Sequence, residues 1–245
     1  MNKAVDKSVI EGQPSKTKKA EKTKVVIYGG NGFVGTHVAK CLSESDAHAI
    51  CLSRTGHKPI HLQDEDWSNN VCWSSGDAST PDNKLLASAD TLICLVGSAP
   101  TPTFSKKSFE QKVFANGMTN ANAIKAAGEA GIKKVVLLGA QIPWPLRTNK
   151  FAYAKGKELA LDAAGEFAAL SDEHSAVVFQ PGMIYGRRYL PSGKSIPLNL
   201  LVGPMPYIMA NQFVSVERLA TRIVEVALSE GTHTGELTII KNSDI

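Results

Sequence analysis

"VVIYGGNGFVGTHVAKCL", residues 25–42, sets a run of strand-forming residues, Val25–Tyr28, ahead of Gly29, Gly32 and Gly35. Glycines at this spacing between a strand and a helix each have a physical task. The first permits a tight turn, the second lets the backbone approach a diphosphate, and the third lets helix and strand pack closely. The helix amino end then offers free N–H groups and a partial positive charge to the phosphates. The same residues also suit a plain glycine-rich turn, so the rest of the chain has to decide.

Working outward, short apolar runs alternate with longer helical stretches. Strands are expected at Val25–Tyr28, Ala47–Leu52, Val71–Ser74, Thr91–Val96, Val135–Leu138, Ala176–Gln180 and, late in the chain, Leu237–Ile240. Helices are expected at Phe33–Ser43, Ser108–Ala130, Tyr153–Leu170 and Val216–Leu228. Apolar strands with helices between them indicate a parallel sheet covered on both faces. The expected fold class is therefore α/β, a doubly wound parallel sheet whose ligand binds beyond the carboxyl ends of the strands. Residues 187–213 break the regularity with Pro191, Pro197, Pro204 and Pro206, which prevent a long helix. They read as a small irregular C-terminal cap beside the cleft. The expected organisation is a disordered basic tail over 1–24 and a single domain over 25–245.

Charge sharpens this picture. The net charge of the 245-residue chain is +4. Residues 1–24 alone carry that surplus, with seven lysines against Asp6, Glu11 and Glu21, and the remaining body is neutral. A neutral body lacks the basic face that nucleic-acid binding needs. The chain has no apolar run long enough to span a membrane, and residues 1–24 lack the apolar stretch expected of a secretory signal, which leaves peripheral contact open. Cys41, Cys51, Cys72 and Cys94 fit no ligand spacing, and the histidines show no paired pattern, so no metal is expected. Reduced cysteines place the protein in the cytoplasm, or in the mitochondrial matrix of a eukaryote.

About twenty residues past the glycines, where an acid would hold a ribose 2′-hydroxyl, stand Ser53 and Arg54. A hydroxyl and a guanidinium suit a 2′-phosphate instead, which favours NADPH over NADH. Tyr153 and Lys157 lie four apart on an expected helix and so share a face. An ammonium beside the phenol would lower the tyrosine pKa from about 10, and the phenol could then exchange a proton with a substrate oxygen. Such a pair is common by chance; its place one loop after the fifth strand gives it weight.

With these residues in view, the chain resembles the short-chain dehydrogenase/reductase superfamily, in its extended and atypical branches, built on the NAD(P)-binding Rossmann fold. The matching pieces are "GGNGFVG", Gly76-Asp77, "GMTN" at 117–120, "YAKGK" and "PGMIYG" at 181–186. By that resemblance the cofactor contacts are Gly29, Asn31, Gly32, Phe33, Val34 and Gly35, with Asp77 near the adenine and Leu95, Val96 and Gly97 lining the cofactor. Lys157 would also hold the nicotinamide ribose, and Pro181 and Gly182 would close over the nicotinamide end. The departures are equally plain. Ala140 and Gln141 stand where the family carries a serine or threonine, so Gln141 is the substitute donor, and Phe114 stands where extended members often have asparagine.

The glycine loop, "PGMIYG", the proline-rich cap and "VSVERLA" are also similar to a subgroup linked to ubiquinone synthesis and respiratory complex I, whose members often serve in structure or assembly. Three functions follow. The first is NADPH-dependent hydride transfer to a carbonyl or enol-like small molecule, with Tyr153 as proton donor, Lys157 as its activator and the cap, with Trp144, Met183 and Tyr185, holding the substrate. The second is a catalytically weak, NADPH-binding accessory protein whose cap meets a partner or lipid. The third is a sugar-nucleotide epimerase or dehydratase, weakened by the short cap and the missing hydroxyl. The helices at Ser108–Ala130 and Tyr153–Leu170 pair across a homodimer in many relatives.

Overall fold

The computed structural model describes residues 22–230 and 235–245. Most of the expected tail lies outside the described residues. Thr23 and Lys24, however, already belong to the first strand, and the Lys24 N–H donates to Asp90 Oδ2 at 2.8 Å. The first strand therefore begins two residues earlier than the sequence implied.

In chain order the elements are β1 (Thr23–Tyr28), α1 (Phe33–Ser43), β2 (Ala47–Ser53), β3 (Cys72–Ser75), α2 (Asn83–Leu86), β4 (Thr91–Cys94), α3 (Lys106–Val113), α4 (Thr119–Glu129), β5 (Lys134–Leu138), α5 (Ala152–Ala168) and β6 (Ser175–Gln180). There follow β7 (Met183–Tyr185), β8 (Arg187–Tyr189), β9 (Ser195–Pro197), α6 (Leu198–Val202), α7 (Met205–Ile208), β10 (Phe213–Ser215), α8 (Val216–Leu228) and β11 (Leu237–Lys241). Seven strands form one parallel sheet in the order β11-β6-β5-β4-β1-β2-β3. The chain winds outward from β1 to β3, returns to β4 beside β1, and winds outward the other way. This is the doubly wound α/β fold, with its switch point between β1 and β4.

Strand periodicity divides the interior. Val25 and Ile27 of β1 face a core shared with α1 and α8, while Val26 and Tyr28 face the opposite core with α4 and α5. Helix α8 buries Val216, Leu219, Ala220, Ile223, Val224 and Ala227, a single face at helical spacing. Its first turn is capped by Ser215, whose side chain accepts from the Arg218 N–H.

Two elements differ from the sequence expectation in a way that shapes the site. Strand β4 stops at Cys94 rather than Val96, because the Val96 carbonyl accepts from Asn120 Nδ2 at 2.9 Å instead of from a neighbouring strand. The helix expected over Ser108–Ala130 begins earlier, at Lys106, and is interrupted by a π turn at Phe114–Met118. Both the N–H and the Oγ1 of Thr119 reach back five residues to the Phe114 carbonyl, the latter at 3.0 Å.

The cap is a set of short pieces. The β8–β9 hairpin is antiparallel, and β7 pairs with β10 to anchor the segment to the body. Tyr189 of the hairpin stacks on His61 with ring centroids 3.9 Å apart. From the other side, the buried side chain of Asn242 accepts from the Gly182 N–H at 2.8 Å and donates to the carbonyls of Ala210 and Phe213 at 3.2 Å each. One residue thus ties three segments together.

Candidate functional site

The glycine loop lies at the switch point. Gly29 has φ +87°, and a Cβ there would stand 3.0 Å from the Leu95 carbonyl carbon, so the loop presses directly on the end of β4. A Cβ on Gly35 would stand 2.1 Å from the Gly29 oxygen, which makes glycine obligatory for this helix-to-loop contact. Helix α1 begins at N-cap Gly32 with no side-chain cap and no acid in its first turn. Among the described residues, the N–H groups of Phe33 and Val34 find no acceptor. Uncapped amides at a helix amino end form a ready anion site. Asn31 donates from Nδ2 to the His57 carbonyl at 2.6 Å, which ties this loop to the one after β2, and its buried Oδ1 has no partner. The uncapped amides fit the diphosphate of a dinucleotide. Val34 offers only its backbone, since its side chain packs in the core.

The loop after β2 carries Ser53 and exposed Arg54. Ser53 Oγ accepts from the Gly56 N–H at 3.1 Å, which shapes the turn. Asp77, on the neighbouring loop, takes both the N–H and the hydroxyl of Ser79 on one oxygen, each at 2.8 Å. Those two bonds, with a smaller contribution from Arg54, hold its carboxyl below the usual range.

Beyond β4, Leu95 and Val96 are half-buried and Gly97 is exposed. Two buried asparagines fix this segment from behind. Asn116, inside the π turn, accepts on Oδ1 from the Ser98 N–H at 2.9 Å and donates from Nδ2 to Ser98 Oγ and the Lys112 carbonyl. Asn120 holds the Val96 carbonyl. Asparagine stands at 116 rather than at 114, where the resemblance led one to expect it. The signal was available: polar residues four apart on the buried face of an alanine-rich helix.

Helix α5 crosses the π turn very closely, for a Cβ on Gly156 would stand 2.9 Å from Asn116 Cβ. That approach seats the next residue, Lys157, inside the site. Its Nζ donates to the Leu138 carbonyl at 2.6 Å, lies 5.8 Å from the Tyr153 ring centroid, and would stand 3.8 Å from a Cβ on Gly97. Burial lowers the Lys157 pKa to about 8 and raises that of Tyr153 to about 12. The expected lowering of the tyrosine is thus reversed, because desolvation of the phenol outweighs an ammonium that is itself desolvated and bound to a carbonyl. At neutral pH Tyr153 is a protonated phenol. Gln141 is exposed, and its backbone N–H donates to the Pro181 carbonyl at 2.7 Å. Pro181 is buried, and Gly182 is held by Asn242.

A cleft of about 550 Å³ opens beside Lys157, lined by Gly139, Ala140, Arg147, Lys157, Glu158 and Gln180 among others. It lies beyond the carboxyl ends of β5 and β6. Neither Tyr153 nor Gln141 is among its lining residues. All four cysteines are free thiols, and among the described residues no group of histidine, cysteine or carboxylate could hold a metal ion. No helix among them is long and apolar enough to cross a membrane.

The family model of the NAD dependent epimerase/dehydratase family matches residues 25–194. The chain belongs to that family. A relative from Arabidopsis thaliana, "Uncharacterized protein At1g32220, chloroplastic", is 30% identical over 198 residues, which are 78% of this chain and 61% of that protein. The chain therefore spans about three fifths of that relative. The "MIOREX complex component 2" of Saccharomyces cerevisiae is 31% identical over 78 residues, 30% of this chain and 28% of its own length. Among solved structures, the UDP-glucuronic acid 4-epimerase from Bacillus cereus in complex with NAD aligns with a TM-score of 0.66 at 17% identity, covering 89% of this chain and 77% of that one. A short-chain dehydrogenase/reductase from Serratia marcescens aligns at 0.65 and 14%, covering 91% and 97%. The family's fold is a Rossmann fold that binds a nicotinamide dinucleotide, and the uncapped amides at the switch point are where this chain would receive it.

Proposed function

We propose that the protein is an NADPH-dependent oxidoreductase acting on a small carbonyl or enol-like compound. The observation that carries this reading is Lys157, buried between the Tyr153 ring and the cofactor-lining Gly97. A nicotinamide dinucleotide supplies the hydride when bound. Tyr153, kept protonated by burial, gives its proton to the substrate oxygen, and the Lys157 ammonium favours the phenolate left behind. Asn116 and Asn120 keep the 95–98 segment in place beside Lys157. Arg54 and Ser53 provide the charge and hydroxyl that a 2′-phosphate needs.

Ala140 and Gln141 supply no hydroxyl where the superfamily polarises the substrate oxygen, and this supports a second reading, a cofactor-binding accessory protein with little turnover. One experiment separates the two. NADPH and NADH are titrated by fluorescence into wild type and Arg54→Ala, and a carbonyl panel is then reduced by wild type and Tyr153→Phe. The expected result is about tenfold weaker NADPH binding in Arg54→Ala with NADH unchanged. Turnover should fall at least about a hundredfold in Tyr153→Phe. Tight NADPH binding with no tyrosine-dependent turnover supports the accessory reading; absence of binding by either dinucleotide defeats both.

A further inference from the structure

From His174 to Val216 the chain holds no aspartate or glutamate, while Arg187, Arg188 and Lys194 give the cap its charge. All three cations are exposed, on or beside the β8–β9 hairpin, and among the described residues none is paired with a carboxylate. Next to them lies apolar surface. Leu200 of α6 is 74% exposed, and Met205 and Ile208 of α7 are 51% and 77% exposed. Helix α6 packs on β7 and β8, and α7 packs on β10, the partner of β7, so these side chains and the cationic hairpin share one region of the cap. The proline-broken helices leave these residues nothing in the fold to cover.

We propose that the cap docks on an anionic lipid bilayer, with Leu200, Met205 and Ile208 entering the interfacial layer and Arg187, Arg188 and Lys194 meeting headgroup phosphates. Exposed aliphatic and thioether side chains gain free energy on leaving water, and a cationic rim adds attraction to a negative surface. A second copy of this chain is a poor occupant, because cap-to-cap contact would set Arg187, Arg188 and Lys194 against their like. The exposed apolar side chains described there, Leu200, Met205 and Ile208, give bases nothing to stack on. The proposal is independent of the oxidoreductase reading, since it needs neither turnover nor cofactor.

The test is co-sedimentation of the full chain with vesicles of pure phosphatidylcholine and of phosphatidylcholine mixed with phosphatidylglycerol. Wild type should pellet with the mixed vesicles and stay in solution with the neutral ones. Each of Arg187→Gln, Arg188→Gln and Lys194→Gln should lower partitioning about fivefold. Leu200→Glu with Ile208→Glu should abolish it while thermal melting stays unchanged. In Ile208→Trp the added emission should shift to the blue on vesicle addition. Binding that survives the glutamate pair would belong to the lysine-rich first 24 residues and would overturn the proposal. So would equal binding to neutral vesicles, absence of binding to either, or a dimer in solution that the glutamate pair dissolves.

Discussion

At the scale of single residues, the site depends on holding a cation where water is scarce. Lys157 is 9% exposed, and its pKa is about 8 against an ordinary 10.5. Below pH 8 the folded chain carries the desolvation cost of the ammonium. Between 8 and 10.5 the unfolded chain binds the proton and the folded chain does not, so stability from this site rises with pH across that window. The cost is about 3 kcal/mol, and about 1 kcal/mol is returned by the bond to Leu138. Lys157→Met should therefore raise the melting temperature at pH 7 by a few degrees while abolishing turnover, and the gain should shrink toward pH 10. A melting temperature below wild type at pH 7 would contradict this account. The positions of Tyr153 and Lys157 were legible in the sequence from their spacing. Their protonation was not, because burial is a property of what packs around them.

Among the elements, the strands, α1 and α8 were readable because their apolar periodicities are strong and their ends carry glycine or serine signals. The π turn was not. Nothing local in "VFANGMTNA" forbids a regular helix; the extra residue is stabilised by the loop that Asn116 holds and by the backbone of α5. A methyl group at Gly156 would press on Asn116 Cβ and on the Val113 carbonyl. Gly156→Ala should cost about 2 kcal/mol and lower the melting temperature by roughly 6 °C. Because Lys157 follows it directly, activity should fall more than stability alone would explain. Calorimetry and initial rates below the melting transition give the two measurements, and a variant that melts normally and turns over normally would remove α5 packing from the argument.

For the whole molecule, the doubly wound architecture was legible, but the way the cap is secured was not, since its fastening comes from residues distant in the chain. Asn242 takes one hydrogen bond from β6's exit and gives two to the far end of the cap. Asn242→Ala strands those groups, so trypsin should cut at Arg187, Arg188 and Lys194 several times faster while the sheet stays protected. Unchanged cleavage would mean that the β7–β10 pair suffices to hold the cap. The switch point has a further implication. Residues up to β3 build one half of the sheet and residues from β4 onward build the other, and the halves meet along the β1–β4 ladder and the α1–α8 contact. The peptide between Thr80 and Pro81 lies in the connection between them. A chain severed there would give two fragments whose reassembly joins the glycine loop to the Leu95–Gly97 segment, so the dinucleotide itself would act as the glue of a split reporter.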